Sequence, residues 1–220
     1  MSPRMNFDHE LEVLNADLVE MGNRVEEAIS LTMKAFETQD NALAKEIIQG
    51  DRTINDMEKA IETRALSLIL KQQPVAKDLR VVSTALKVVT DMERIGDHAS
   101  DIAELILRMN GQSAFRLINA IPEMANTAKK MVHDAVSAFI ACDIEKARNT
   151  IMEDEVVDDL FNEVKNTVIE KLQKGNEHAD HCIDILMIAK YLERIGDHAV
   201  NICEWTEFHE TGTLKNVRIL

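Results

Sequence analysis

The sequence predicts an all-α protein: six long helices arranged as two tandem, duplicated antiparallel three-helix bundles. Three observations carry this expectation. Apolar residues recur at three- and four-residue spacing almost from end to end. Only 7 Gly and 3 Pro are available for turns, and the heptapeptide ERIGDHA occurs both at 93–99 and at 193–199. Chance similarity between helical heptads does not explain an identity of that length, so the chain reads as a duplication.

The first helix is expected over 7–38, where Leu11, Leu14, Leu18, Met21, Val25, Ala28 and Leu31 mark one buried face. It breaks near Thr38-Gln39-Asp40, and the Asp40 carboxylate can cap a second helix over 40–71. Pro74 disfavours helical backbone at Gln73 and separates that helix from a third over 75–109. Gly111, within Asn110-Gly111-Gln112, can take the left-handed conformation that ends a helix. The remainder repeats the plan with helices over 113–141, 143–174 and 177–209, Asp143 as a cap, Gly175 as a stop and a short tail. Near 28 residues, such helices are about 42 Å long, and short turns between them impose antiparallel packing. The two repeats are placed at 1–111 and 112–220.

The correspondence extends beyond the heptapeptide. Ala35-Phe36 aligns with Ala138-Phe139, Asp40 with Asp143, Asp51 with Asp154 and Asn55 with Asp158, all at an offset of 103. At ERIGDHA the offset is 100, which places a deficit of about three residues in the loop between the second and third helices of the second half.

The net charge of −14, from 39 acidic and 25 basic residues, repels nucleic acid and anionic lipid. Acidity alone ordinarily means solubility. Cys142, Cys182 and Cys203 are odd in number and form no Cys-x-x-Cys pair, so they read as buried packing thiols in a reducing compartment. No apolar run of about 18 residues and no signal-like start is present, which gives the expectation of a cytoplasmic protein without membrane insertion.

Within the repeated stretch, Val88, Met92, Ile95, Ala99, Ile102 and Ile106 form one stripe, and Ile188, Leu192, Ile195, Ala199 and Ile202 repeat it. Glu93, Asp97 and Asp101, and likewise Glu193, Asp197 and Asn201, recur at i,i+4 on nearly the opposite side. Like charges at that spacing cost a few tenths of a kcal/mol per pair, whereas alternation with Lys would stabilise the helix. Asp51 with Asn55, and Asp154 with Asp158, add oxygen pairs on the preceding helices, which antiparallel packing can bring alongside. Each half then carries a comb of oxygens suited to Mg²⁺, Mn²⁺ or Fe, with a solvated acidic face as the plainer alternative. Zinc is less favoured without a Cys/His ligand set, although carboxylates also bind it.

Gly96 and Gly196 sit mid-helix at a cost of about 1 kcal/mol relative to Ala, which points to close approach of a neighbouring helix or to backbone access. Arg94 and Arg194 can hold an anion or steady a carboxylate, and more commonly form surface ion pairs. His98 and His198 lie off the acidic stripe, favouring packing or indirect hydrogen bonding over ligation.

LVEMGNRVEEAI, DRTINDMEKAIE, QQPVAKDLR, DMERIGDHASDIAE and YLERIGDHAVNICE together make the whole chain resemble the PhoU family. The resemblance implies tandem three-helix repeats, no enzymatic activity, and metal bound by acidic helix surfaces in some members. Carried to this sequence, the ligand candidates are Asp51, Asn55, Glu93, Asp97 and Asp101 in one half, and Asp154, Asp158, Glu193, Asp197 and Asn201 in the other. The implied ions are divalent or trivalent: Fe, Mn, Mg or Zn. Asn55 and Asn201 offer neutral oxygens in place of carboxylates and so weaken their corners. QQPVAKDLR has no clear counterpart in the second half, which suggests an asymmetric, partner-facing role for Asp78 and Arg80. Implied partners are the ATPase subunit of a phosphate ABC transporter, a phosphate-sensing membrane histidine kinase that the protein restrains, and a second copy in a homodimer. A carboxylate-bridged metalloenzyme is the competing class. Its sites use Glu-x-x-His facing a bundle core, a motif missing from the repeated stretch.

Overall fold

The computed structural model describes residues 3–109, 120–175, 179–214 and 217–218. Six helices follow in order: α1 Pro3–Thr38, α2 Asn41–Gln72, α3 Lys77–Met109, α4 Ala120–Ala141, α5 Ile144–Gln173 and α6 Ala179–Thr211. The expected helix starts at 113 and 177, the Gly111 stop and the 111/112 boundary lie outside the described residues. In the tail, β1 Thr213–Leu214 pairs antiparallel with β2 Val217–Arg218, a contact for which the helical periodicity gave no signal.

Helix ends follow from side-chain chemistry. Asp40 Oδ1 accepts from the Ala42 and Leu43 amides at 2.9 and 3.0 Å, and Asp143 Oδ1 from the Lys146 amide at 2.9 Å. Each of these Asp residues also closes the preceding helix, its own amide donating to Ala35 O at 3.2 Å or Ala138 O at 2.9 Å. This closure puts a left-handed residue before each Asp: Gln39 at φ 57° and, at the aligned position, Cys142 at φ 54°. Gly175, at φ 75°, ends α5 as expected. α2 has 32 residues and α5 has 30, so part of the deficit assigned to the loop falls within the helix itself.

α1–α3 form one bundle and α4–α6 the other, and the two join through α3 against α6 and α1 against α4. All the residues of the two predicted core stripes on α3 and α6 are buried. One continuous core therefore runs through both repeats, with α2 and α5 as outer helices. Where α1 crosses α4, a Cβ at Gly22 would stand 3.0 Å from Val136 Cγ1, so the helices approach as closely as glycine permits.

Polar links tie α3 to α6 near both ends. Arg80 Nε donates to the His209 carbonyl at 2.8 Å, satisfying an oxygen in the last turn of α6. Farther along, Arg108 pairs with the buried carboxylate of Asp184. Arg80 is thus an internal link between repeats and not the partner-facing residue expected. The cysteines also divide: Cys182 and Cys203 are buried, but Cys142 is exposed because it occupies the turn after α4.

Candidate functional site

The acidic stripes and their partners lie in seams between α2 and α3 and between α5 and α6, half-buried and not turned outward, with the exception of Asp158, which is exposed. α3 and α6 each pack against the other repeat as well as their own, so the side opposite the apolar stripe meets an outer helix. Gly96 marks this contact in the first seam, where an added Cβ would come within 3.0 Å of two Ile54 side-chain carbons. At Gly196 the same Cβ would stand 3.0 Å from Asp154 Oδ1, so this glycine makes room for a carboxylate.

In the first seam Asn55 Nδ2 donates to Asp51 Oδ2 at 2.9 Å. Arg94 donates to Asp97 at 2.9 Å and stands 3.4 Å from Glu93 Oε2, steadying both carboxylates. Burial, then the Asp97 charge, raises the Asp51 and Glu93 carboxyls above their ordinary range. Glu58 also belongs here: burial followed by Glu62 raises its carboxyl, and its charge acts on Glu93. The sequence reading missed it, although its place seven residues after Asp51 puts it on the same helix face. A cavity of about 170 Å³ between α1 and α2 reaches Asp51 and Gly96.

In the second seam Lys190 Nζ contacts both carboxylate oxygens of Glu193, at 2.6 and 2.5 Å, and lies 5.5 Å from the Phe161 ring centre. Asp154 is pushed up to about 6 by burial and then by Asp158, Asp197 and Glu193. Burial and Glu193 raise Asp197 as well. These shifts place four of the predicted acids within one electrostatic group.

The last position of each predicted row behaves differently. Asn201 Nδ2 donates to Asp91 Oδ1 at 3.1 Å, and His198 Nδ1 lies 2.8 Å from the same oxygen. Asp101 remains within electrostatic reach of Asp51 while contacting His98 Nδ1 at 3.5 Å. His98 stacks on Tyr191 and lies 5.5 Å from the His198 ring, so both imidazoles pack in the layer joining the repeats. The divergence has a geometric cause: each i+4 step rotates by about 40°, so an i+8 position stands about 80° from the first.

A cation fits the seam chemistry. Asp51 Oδ1, Asn55 Oδ1, Glu93 Oε2 and Asp154 Oδ1 are buried without a hydrogen-bond partner. Leaving a buried polar atom unsatisfied costs about 1–3 kcal/mol, and more for a charged group. Hard oxygen donors of this kind suit Mg²⁺, Mn²⁺ or Fe. The seam acids are grouped but not convergent. Among the described residues, the one set of at least three His, Cys, Asp or Glu with ligand atoms all within 4.8 Å is Cys142, His209 and Glu210.

Two merged three-helix repeats, each with a carboxylate seam, define a duplicated helical-bundle protein. Residues 18–106 and 121–206 both match the family model described as "PhoU domain". The chain belongs to the PhoU family. A Clostridium acetobutylicum relative named "Phosphate-specific transport system accessory protein PhoU homolog" is 39% identical over 95% of this chain and 96% of its own length. The crystal structure titled "PhoU from Pseudomonas aeruginosa" has a TM-score of 0.89 and 30% identity, covering 94% of this chain and 100% of the other. That of "the phosphate transport system regulatory protein PhoU from Streptococcus pneumoniae" has a TM-score of 0.88 and 30% identity over 94% and 98%. The names are those of accessory and regulatory proteins, not enzymes, and the metalloenzyme alternative falls. No described helix is long and apolar enough to cross a membrane.

Proposed function

We propose that this protein is a cytoplasmic accessory regulator of phosphate-specific transport and phosphate-starvation signalling. The observation that carries the reading is near-complete coverage by relatives named as accessory proteins of a phosphate-specific transport system, one of them 39% identical. Its partners in this reading are the ATPase subunit of the phosphate transporter and a phosphate-sensing membrane histidine kinase, with a second copy forming a homodimer. Exposed apolar side chains support protein docking: Leu66, Leu70, Val75 and Leu79 follow one another from the end of α2 into α3, with Leu70 78% and Val75 74% exposed.

The seams are proposed to hold divalent or trivalent ions: Fe, Mn, Mg or Zn. In the first, Asp51, Asn55, Glu93, Asp97 and Asp101 would supply the oxygens; in the second, Asp154, Asp158, Glu193 and Asp197, with Asn201 at the margin because its amide is engaged by Asp91. Bound ions would offset the mutual repulsion of these carboxylates and tie each outer helix to its neighbour. Support for this reading comes from buried oxygens that neither Arg94 nor Lys190 hydrogen-bonds.

Deletion of the gene tests the regulatory role. Phosphate-starvation genes are expected to switch on in phosphate-replete cells and to be restrained again by the wild-type copy. Unchanged expression in the deletion strain would overturn it.

A further inference from the structure

We propose that Cys142, His209 and Glu210 form a separate metal site of the zinc-accepting class at the meeting of the α4 and α6 ends. Cys142 Sγ lies 3.5 Å from His209 Nδ1, which in turn lies 3.0 Å from Glu210 Oε1. Around a tetrahedral zinc with bonds of about 2.3, 2.0 and 2.1 Å, these separations are about 3.5 and 3.4 Å. The sulfur–nitrogen spacing already matches, and the Glu210 oxygen needs to move by about 0.4 Å. Thiolate, imidazole and carboxylate form a mixed sulfur, nitrogen and oxygen set unlike the oxygen seams. Their combined charge balances a divalent ion, and the fourth position is left to water or a partner's ligand.

The surroundings support ligation. His209 is buried, Phe139 packs against its ring with centroids 5.9 Å apart, and Arg80 holds its carbonyl. Burial, with the charges of Lys77 and Arg80, lowers the His209 imidazole below its usual range despite Glu210. Burial and Glu210 raise the Cys142 thiol, a cost that the metal must offset in displacing the thiol proton to solvent. The left-handed backbone at Cys142 puts the sulfur outside the α4 core stripe. The duplication sharpens the assignment: the aligned first-repeat positions carry Gln39 and Met109, which are not a ligand pair for this class of ion.

Titration of the full chain with Co²⁺ tests the site, because a thiolate ligand gives a near-ultraviolet charge-transfer band that oxygen ligands do not. The wild-type protein is expected to develop the band to a saturating value as Co²⁺ is added, with seam sites taking up further Co²⁺ without contributing to it, and to lose it on addition of Zn²⁺. Cys142→Ser abolishes the band, Glu210→Gln shifts the Co²⁺ concentration needed for it at least about tenfold, and Asp97→Asn/Asp197→Asn leaves the band, though not total Co²⁺ uptake, intact. Circular dichroism of the metal-free Cys142→Ser protein should match wild type, since the side chain is exposed. Absence of the band in wild type overturns the proposal, as does its survival in Cys142→Ser, which would assign the thiolate to Cys182 or Cys203. Either result leaves the seam reading standing.

Discussion

The two seams come from one duplicated plan but resolve their negative charge differently. On the outer helix, Glu58 of the first repeat aligns with Phe161 of the second; on its neighbour, Thr90 aligns with Lys190. The first seam is therefore the more acidic, and Arg94 is the cation it pairs internally. The second has lost an acid and gained an ammonium that holds both oxygens of Glu193 and lies near the Phe161 ring. Equivalent backbone positions thus present different requirements to an incoming ion. The first seam has three buried oxygens without a hydrogen bond, of which Glu93 Oε2 lies 3.4 Å from Arg94. The second has one, on Asp154, and its Glu193 is held by Lys190 through both oxygens.

The largest expected effect separates the two mid-helix glycines. Gly96→Ala drives a methyl into Ile54, and overpacking of about 1–3 kcal/mol exceeds the helix-propensity gain of about 1 kcal/mol. Chemical denaturation should show a net loss of up to about 2 kcal/mol. Gly196→Ala meets the Asp154 carboxylate, so its stability changes less while metal retained by the second seam falls. Equal losses of stability in the two variants would remove the distinction.

Next in size is Lys190→Met. Freeing Glu193 should raise the second seam's metal affinity up to about tenfold, the equivalent of about 1.4 kcal/mol. Thr90→Lys should weaken binding at the first. Competition with a chelator reads both directions, and no change in either variant would show that the lysine is irrelevant to loading.

A smaller effect concerns protons. Asp154 has a folded pKa of about 6, raised from 3.8, so the folded chain takes up a proton across that window more readily than the unfolded chain. This contribution favours the metal-free fold at low pH and is lost as pH rises through about 6. Asp154→Asn should therefore raise the Tm of chelator-treated protein by a few degrees at pH 7–8 and much less near pH 4. Parallel Tm-against-pH curves would contradict the assigned cause. The smallest effect is expected from Asp91→Ala, which removes the shared acceptor of His198 and Asn201. The layer between repeats should lose about 1 kcal/mol in denaturation.

Much of this comparison was legible in the sequence because it rests on local periodicity. The apolar spacing around ERIGDHA identified the core of α3 and α6, and Asp40 and Asp143 act on amides two or three residues away. The pairing of oxygen-bearing positions followed from aligning the halves. The partial burial of the seams did not, because it depends on α3 and α6 packing together while α2 and α5 cover their remaining sides. Nor did the departure of Asn201 and the divided role of Asp101, since the predicted row neglected its helical drift. Glu58 was recoverable from spacing alone, whereas Cys142 and His209 are 67 positions apart and meet through tertiary packing.

Metal analysis of protein purified without chelator provides the most direct measurement. Wild type is expected to retain divalent or trivalent ions; Glu93→Ala/Asp97→Ala and Glu193→Ala/Asp197→Ala should each lose the share held by one seam, and the fourfold variant should lose both. Metal content equal to wild type in every folded variant, or a wild-type protein with no metal before or after equilibration with Fe²⁺, Mn²⁺, Mg²⁺ or Zn²⁺, would contradict the account.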